Sequence, residues 1–156
     1  MIMSVKIEKR KATRLAYIKH HGSYDKVPWE DYIKRLYGWA KAQKVMPGFY
    51  PLAVCYDNPQ TVPAGKLRSD IGITFKGNGR GQAGVKVRQM PAMTVATISH
   101  KGPSTEFKNT YAKLFEGIER KGYKISGPSI EIYSKKPSIN KGVTILYAKI
   151  MLPIKK

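Results

Sequence analysis

Glu131 is the residue of this chain whose type and position most strongly suggest chemistry. It lies within Ser129-Ile130-Glu131-Ile132-Tyr133, where strand alternation places it on one face with Ser129 and Tyr133. An ionised carboxylate in a pocket of low polarity is costly without a positive partner, and a cationic ligand supplies one. The alternative is a solvated strand face, or an ion pair with one of the 29 basic side chains.

Aromatic residues are candidates for the walls of such a pocket, because their faces attract a cation. The candidates are Trp39, Tyr56, Phe107, Tyr111 and Tyr147. Core packing explains each of them singly as well. His20, His21 and His100 have no carboxylate or cysteine at metal-ligand spacing, so we predict no metal and no cofactor.

The elements that position these residues belong to a sequence repeat that occurs twice in the chain. Displaced by about eighty residues, 17–22 corresponds to 97–102, and Tyr56 corresponds to Tyr133. This alignment gives Glu131 the apolar counterpart Val54. The pattern predicts a single domain, 1–156, made of repeats 4–76 and 84–155 that are joined by the glycine-rich linker 77–83.

Within each repeat the hydrophobic period changes from alternation to a helical stripe and back to alternation. Pro28 is suited to open the first helix, and Gly102-Pro103-Ser104 is predicted to start the second. The predicted fold is therefore α+β: duplicated β-α-β-β units joined into one antiparallel sheet about a pseudo-twofold axis. Each half has one main helix, and a central ligand groove is expected where the halves meet.

The charge is the unusual feature of the composition, with 29 Lys and Arg against 10 Asp and Glu, a formal net charge of +19. Because these residues are spread along the chain, a solvated basic surface is favoured, and nucleic-acid binding is the alternative. No apolar run is long enough for a membrane span, so no membrane partner is expected. Cys55, the single cysteine, fits a buried position and the reducing cytoplasm.

The sequence resembles the GyrI-like small-molecule-binding domains, which also serve as effector domains of AraC-type and MerR-type multidrug-responsive regulators. The resemblance extends from end to end and rests on several short segments in order. These are His21-Gly22-Ser23-Tyr24, Lys101-Gly102-Pro103, Tyr56-Asp57-Asn58-Pro59, Arg68-Ser69-Asp70-Ile71-Gly72, and Ile130-Glu131-Ile132-Tyr133 with Pro137. Ser23 and Ser104 depart from the usual Gly-Pro-Tyr pattern, so one habitual aromatic residue is missing.

The resemblance implies a domain that binds lipophilic, often cationic aromatic compounds, with Glu131 as the central acid. Some members of the family are hydrolases that open cyclopropane-bearing toxins, and in that case Glu131 is the catalytic general base. Others inhibit DNA gyrase. Three hypotheses therefore stay open: a non-enzymatic binder or sensor, a hydrolase, and a partner of gyrase or nucleic acid.

Overall fold

The computed structural model describes residues 4–156, so the first three residues of the predicted domain lie outside the described residues. The helices and strands are, in chain order, β1 Lys6–Arg10, β2 Thr13–His21, α1 Trp29–Gln43, β3 Met46–Pro47, β4 Leu52–Cys55, β5 Arg68–Lys76, β6 Lys86–Met90, β7 Met93–Pro103, α2 Phe107–Arg120, β8 Lys124–Ile125, β9 Ser129–Tyr133, β10 Ser138–Asn140 and β11 Val143–Lys155. No helix in this described part is long and apolar enough to span a membrane.

The chain folds into two compact units, and one of them is Lys11–Ala92. Its antiparallel strands follow the order β4-β5-β2-β6, and β3 pairs with β5. Ala16 and Ile18 alternate along β2 with Tyr17 and Lys19, so one face of the sheet is apolar and accepts α1. Leu36, Trp39 and Ala40 are the residues that α1 buries.

The other unit combines Met93–Lys156 with β1. Its antiparallel strands follow the order β1-β7-β11-β9, and the short strands β8 and β10 also pair with β11. Helix α2 packs on this sheet. The core between them is built from Leu114 and Ile118 of α2 with Ile98 and Ile150 of the strands.

The predicted α+β class, with antiparallel strands and one main helix in each half, is confirmed. The second helical segment begins at Ser104, within the predicted Gly102-Pro103-Ser104, but its first turn is a 3-10 helix. Strand β7 continues to Pro103, a 3-10 turn covers Ser104–Glu106, and α2 begins at Phe107. Pro103 has an extended backbone, so strand β7 runs up to the residue before this turn.

The compact units do not coincide with the sequence repeats, because the first strand of each repeat pairs outside it. Strand β1, from the first repeat, pairs with β7, and β6, from the second, pairs with β2. Each unit therefore holds the helix and the later strands of one repeat together with the leading strand of the other.

Candidate functional site

Glu131 lies on β9 and points to the face of its sheet that α2 covers. The register places Glu131 opposite Ile150 on β11, and directly opposed residues share a face. Ile150 is fully buried in the core beneath α2. Glu131 itself is 8% exposed, which is rare for a carboxylate without a basic partner.

Two tyrosine hydroxyls satisfy the two carboxylate oxygens of Glu131. Tyr111 of α2 donates a short hydrogen bond to Oε2, and its hydroxyl also lies 3.1 Å from Ser129 Oγ. Tyr133, two residues along β9, donates to Oε1 at 2.5 Å. No Lys or Arg within residues 4–156 forms an ion pair with Glu131. The carboxyl group is therefore buried and hydrogen-bonded, but it has no Lys or Arg partner among the described residues.

Burial raises the pKa of Glu131 above its ordinary value, because the ionised form loses its hydration. The hydrogen bonds from Tyr111 and Tyr133 act in the opposite direction, and so does the nearby His100. Desolvation is the largest of these effects. A cation placed beside this group would favour its ionised form strongly, which makes the site responsive to charged ligands.

A row of aromatic side chains along α2 extends from this carboxyl group. Phe107, Tyr111 and Phe115 follow one another at a spacing of four residues, with ring centroids 6.1 Å and 5.9 Å apart. Phe107 also packs edge-on against His100 at 4.5 Å, and His100 Nδ1 lies 2.7 Å from Thr110 Oγ1. Because Phe115 is 45% exposed, the row connects the buried carboxyl group with the surface of this unit.

Phe107 and Tyr111 are thus the candidate aromatics that the structure places with Glu131. Tyr147 lies on β11 but alternates with Ala148 and Ile150, so its side chain is on the opposite face of the sheet. Its ring lies 6.0 Å from Lys101 Nζ and 5.3 Å from Lys135 Nζ.

Trp39 and Tyr56 belong to the unit Lys11–Ala92. Trp39 is in the core under α1, where its Nε1 donates to the carbonyl oxygen of Arg80 at 2.8 Å and its ring packs against Phe75. Tyr56 donates to Asp70 Oδ2 at 2.5 Å. A role for these two residues and for Tyr147 in ligand binding stays a prediction.

Tyr133 is a member of the site that the sequence reasoning missed. Period-two alternation had already placed it on the face of Glu131, and that signal was sufficient to propose it. The sequence alignment also assigned Glu131 a counterpart that is one residue away from the one in the structure. In the β9-β11 pair, Glu131 is opposite Ile150. In the corresponding β4-β5 pair of the other unit, Ala53 is opposite Ile71. The structural counterpart of Glu131 is therefore Ala53 and not Val54.

Within the described residues, no group of three or more His, Cys, Asp or Glu side chains is close enough together to hold a metal ion. The chemistry that these residues offer is that of a carboxyl group, its tyrosine donors and flat apolar rings. Such a group can bind a positive charge or accept a proton.

Known proteins resemble this chain over most of its length. A model of the GyrI-like small-molecule-binding domain matches residues 3–155. A DNA gyrase inhibitor of Salmonella typhimurium is 31% identical over 115 residues, which covers 68% of this chain and 74% of the relative.

Solved structures with low sequence identity share the fold. The C-terminal domain of EcmrR superposes with a TM-score of 0.79 at 15% identity, covering 100% of this chain and 99% of that one. A hydrolase from Listeria innocua has a TM-score of 0.74 at 13% identity, covering 97% and 91%. SAV2435 bound to tetraphenylphosphonium has a TM-score of 0.60 at 16% identity, covering 97% and 94%.

Proposed function

The chain belongs to the family of GyrI-like small-molecule-binding domains, and on that premise we propose that it binds lipophilic, cationic aromatic compounds at Glu131. The observation that supports this ligand class is a buried carboxyl group that Tyr111 and Tyr133 hold and that has no Lys or Arg partner in the part of the chain that the structure describes. The ligand supplies the missing positive charge. The function is sensing or sequestration of such compounds.

The binding energy comes from pairing the charge of the ligand with that of Glu131 in a site that excludes water. An ionised Glu131 without a partner is disfavoured, whereas a cation beside it gains an attraction that water screens only weakly. Phe107 and Tyr111 add ring faces, and each good cation–π contact contributes about 0.5–2 kcal/mol. Charge and aromatic character in the ligand are therefore favoured by the same few side chains.

The ligand of one structural neighbour has the chemistry that this site requires. SAV2435 was solved with tetraphenylphosphonium, a permanent cation surrounded by four phenyl rings. We propose the same class of compound for this chain and use tetraphenylphosphonium as the probe. The expected compartment is the cytoplasm, in keeping with a single cysteine, Cys55, that is buried.

The test is a titration of the protein with tetraphenylphosphonium and with a neutral analogue, triphenylphosphine oxide. We expect Glu131→Gln to weaken binding of the cation at least tenfold, about 1.4 kcal/mol, and to leave the neutral compound nearly unchanged. Glu119→Gln is the matched control, because Glu119 is an exposed residue of α2 and its loss changes net charge equally. Equal losses for the cation and the neutral compound would refute the electrostatic role.

A second candidate function is hydrolysis of strained electrophiles, with Glu131 as general base. Two observations favour it. A carboxyl group whose pKa is raised by burial is a better proton acceptor than an exposed one, and structural neighbours from Listeria innocua are described as hydrolases. Turnover of a cyclopropane-bearing electrophile that disappears in Glu131→Gln would establish this activity. Stoichiometric binding without product would exclude it.

A third candidate is interaction with DNA gyrase or nucleic acid. Its support is the similarity to DNA gyrase inhibitors at 28–31% identity, together with the formal net charge of +19. If phosphate contacts contribute to function, the affinity for duplex DNA falls steeply as salt rises. Weak binding that stays flat from low to moderate salt, and no effect on supercoiling by gyrase, would remove this candidate.

A further inference from the structure

We infer that the unit Lys11–Ala92 carries a second ligand site, which binds a small aromatic oxyanion, either a carboxylate or a phosphate. This site shares no residue with the carboxyl site at Glu131 and does not depend on the function proposed above.

The site is a cavity of about 260 Å³ on the face of the sheet that α1 leaves uncovered. Tyr17 and Lys19 line it from β2, where they alternate with Ala16 and Ile18, the residues packed under α1. Asp70 lines it from β5, directly opposite Lys19. Side chains from neighbouring strands therefore line one cavity that is open to solvent on one side.

Basic side chains outnumber acidic ones on the walls of this cavity. Lys19, Arg68 and Arg88 line it, and Asp70 is the one acidic residue among the lining side chains. Arg68 is already neutralised by Asp57, which lies outside the lining and accepts from Arg68 Nε at 3.1 Å and from Nη2 at 2.9 Å. One positive charge therefore remains in excess.

No acidic side chain among the described residues pairs with that excess charge. Asp70 accepts from Tyr56 at 2.5 Å and from Arg88 Nη2 at 3.4 Å, so its Oδ2 already has two donors. Lys19 is exposed and takes part in no ion pair in 4–156. Arg88 Nε is buried without a hydrogen-bond acceptor. A charged nitrogen without an acceptor is costly, and an oxyanion would supply one.

Two tyrosine rings give the cavity its aromatic character. The guanidinium of Arg88 lies 5.3 Å from the centre of the Tyr17 ring, and that of Arg68 lies 5.9 Å from the centre of the Tyr56 ring. Burial and the hydrogen bond to Asp70 raise the pKa of Tyr56 to about 12, so this phenol stays neutral and does not repel an anion. The volume is slightly below the ~300 Å³ of the smallest drug-type pockets, which suits one ring with one charged group.

The test follows the backbone amide and side-chain NMR signals during titration with benzoate, phenyl phosphate and neutral benzamide. We expect both oxyanions to shift the signals of Lys19, Arg68 and Arg88, and benzamide to shift them much less. Comparison of benzoate with phenyl phosphate identifies which oxyanion is preferred. Lys19→Gln is expected to weaken oxyanion binding about threefold to tenfold, whereas Lys41→Gln, an equal change of charge on the exposed side of α1, leaves it within about twofold.

A second variant tests the sign of the electrostatic effect. Asp70→Asn removes the acidic group of the lining and is expected to tighten oxyanion binding about threefold or more, provided that circular dichroism shows a folded protein. Glu131→Gln is expected to leave it unchanged, which separates this site from the proposed cation site. Absence of shifts at millimolar oxyanion, equal losses in Lys19→Gln and Lys41→Gln, or weaker binding in folded Asp70→Asn would overturn the inference.

Discussion

At Glu131, the proposed ligand binding and protein stability make opposite demands. Its carboxyl group is buried with two tyrosine donors, and desolvation raises its pKa in the folded protein. The unfolded chain, where the group is hydrated, loses this proton more easily. The stability of the folded state therefore falls as pH rises from the unfolded pKa through the folded one.

Glu131→Gln is expected to remove this pH dependence, because an amide of similar shape carries no charge. The variant should be more stable than the wild type at neutral pH, by an amount in the ordinary range of single substitutions, about 0.5–3 kcal/mol. The difference should disappear below pH ~3.5, where Glu131 is largely protonated in both the folded and the unfolded chain. Urea unfolding of both proteins at several pH values measures it, and a wild type that gains stability over the same rise in pH would contradict the assignment.

The unusual position of Glu131 was easier to predict from the sequence than the side chains around it. Glu131 was recognisable because a carboxylate in an apolar strand breaks the pattern of the repeat. Tyr111 was among the candidate aromatic residues, and Tyr133 was overlooked although alternation placed it on the same face. Trp39 has the residue type that ligand sites favour, but its environment in the core depends on packing that composition does not reveal.

At the scale of helices and strands, hydrophobic period was a sufficient guide. The helix predicted to open at Pro28 begins at Trp29. The two-residue strands β3 and β8 escaped prediction because they are shorter than one repeat of any period. Their existence depends on pairing with β5 and β11 and not on their own sequence.

Gly72 illustrates how closely β5 approaches its neighbour. A Cβ atom at this position would overlap the carbonyl oxygen of Ala16, a backbone atom that cannot move without disturbing β2. Gly72→Ala is therefore expected to lower the free energy of unfolding by about 2–3 kcal/mol.

Gly38→Ala is the control for this prediction, because Gly38 is in α1 and nothing lies within 4 Å of its added Cβ. This substitution should stabilise the protein by about 1 kcal/mol, since alanine favours helix. Denaturant unfolding of both variants makes the comparison. A Gly72→Ala protein as stable as the wild type would show that β2 and β5 are not so closely packed.

At the scale of the whole molecule, the sequence revealed a repeat but not which strands pair. Periodicity identifies a strand and its buried face, whereas the partner of a strand is chosen by tertiary packing. The pairing of β1 with β7 and of β6 with β2 is therefore invisible in the repeat itself. The resemblance to a known family supplied the fold class that local pattern could only suggest.

The formal net charge of +19 affects both proposed ligands at long range. A positive protein repels a cation, and salt screens this repulsion as the Debye length falls from ~30 Å at 0.01 M to ~8 Å at 0.15 M. We expect the affinity for tetraphenylphosphonium to rise about twofold to threefold over this range, and the affinity for benzoate to fall similarly. Titrations at both salt concentrations measure the two trends. A change of affinity in the same direction for both ligands would show that another effect of salt dominates.

The central claim is that the charge of Glu131 binds the cation, and the pH dependence of tetraphenylphosphonium affinity tests it most directly. The ligand does not titrate, so any linked proton comes from the protein. Because the cation favours the ionised form of a group whose pKa is raised, wild-type affinity should increase with pH, by at most tenfold per unit, and then level off. In Glu131→Gln this increase should be absent. A wild-type affinity that is flat with pH, or an equal slope in the variant, would contradict the account.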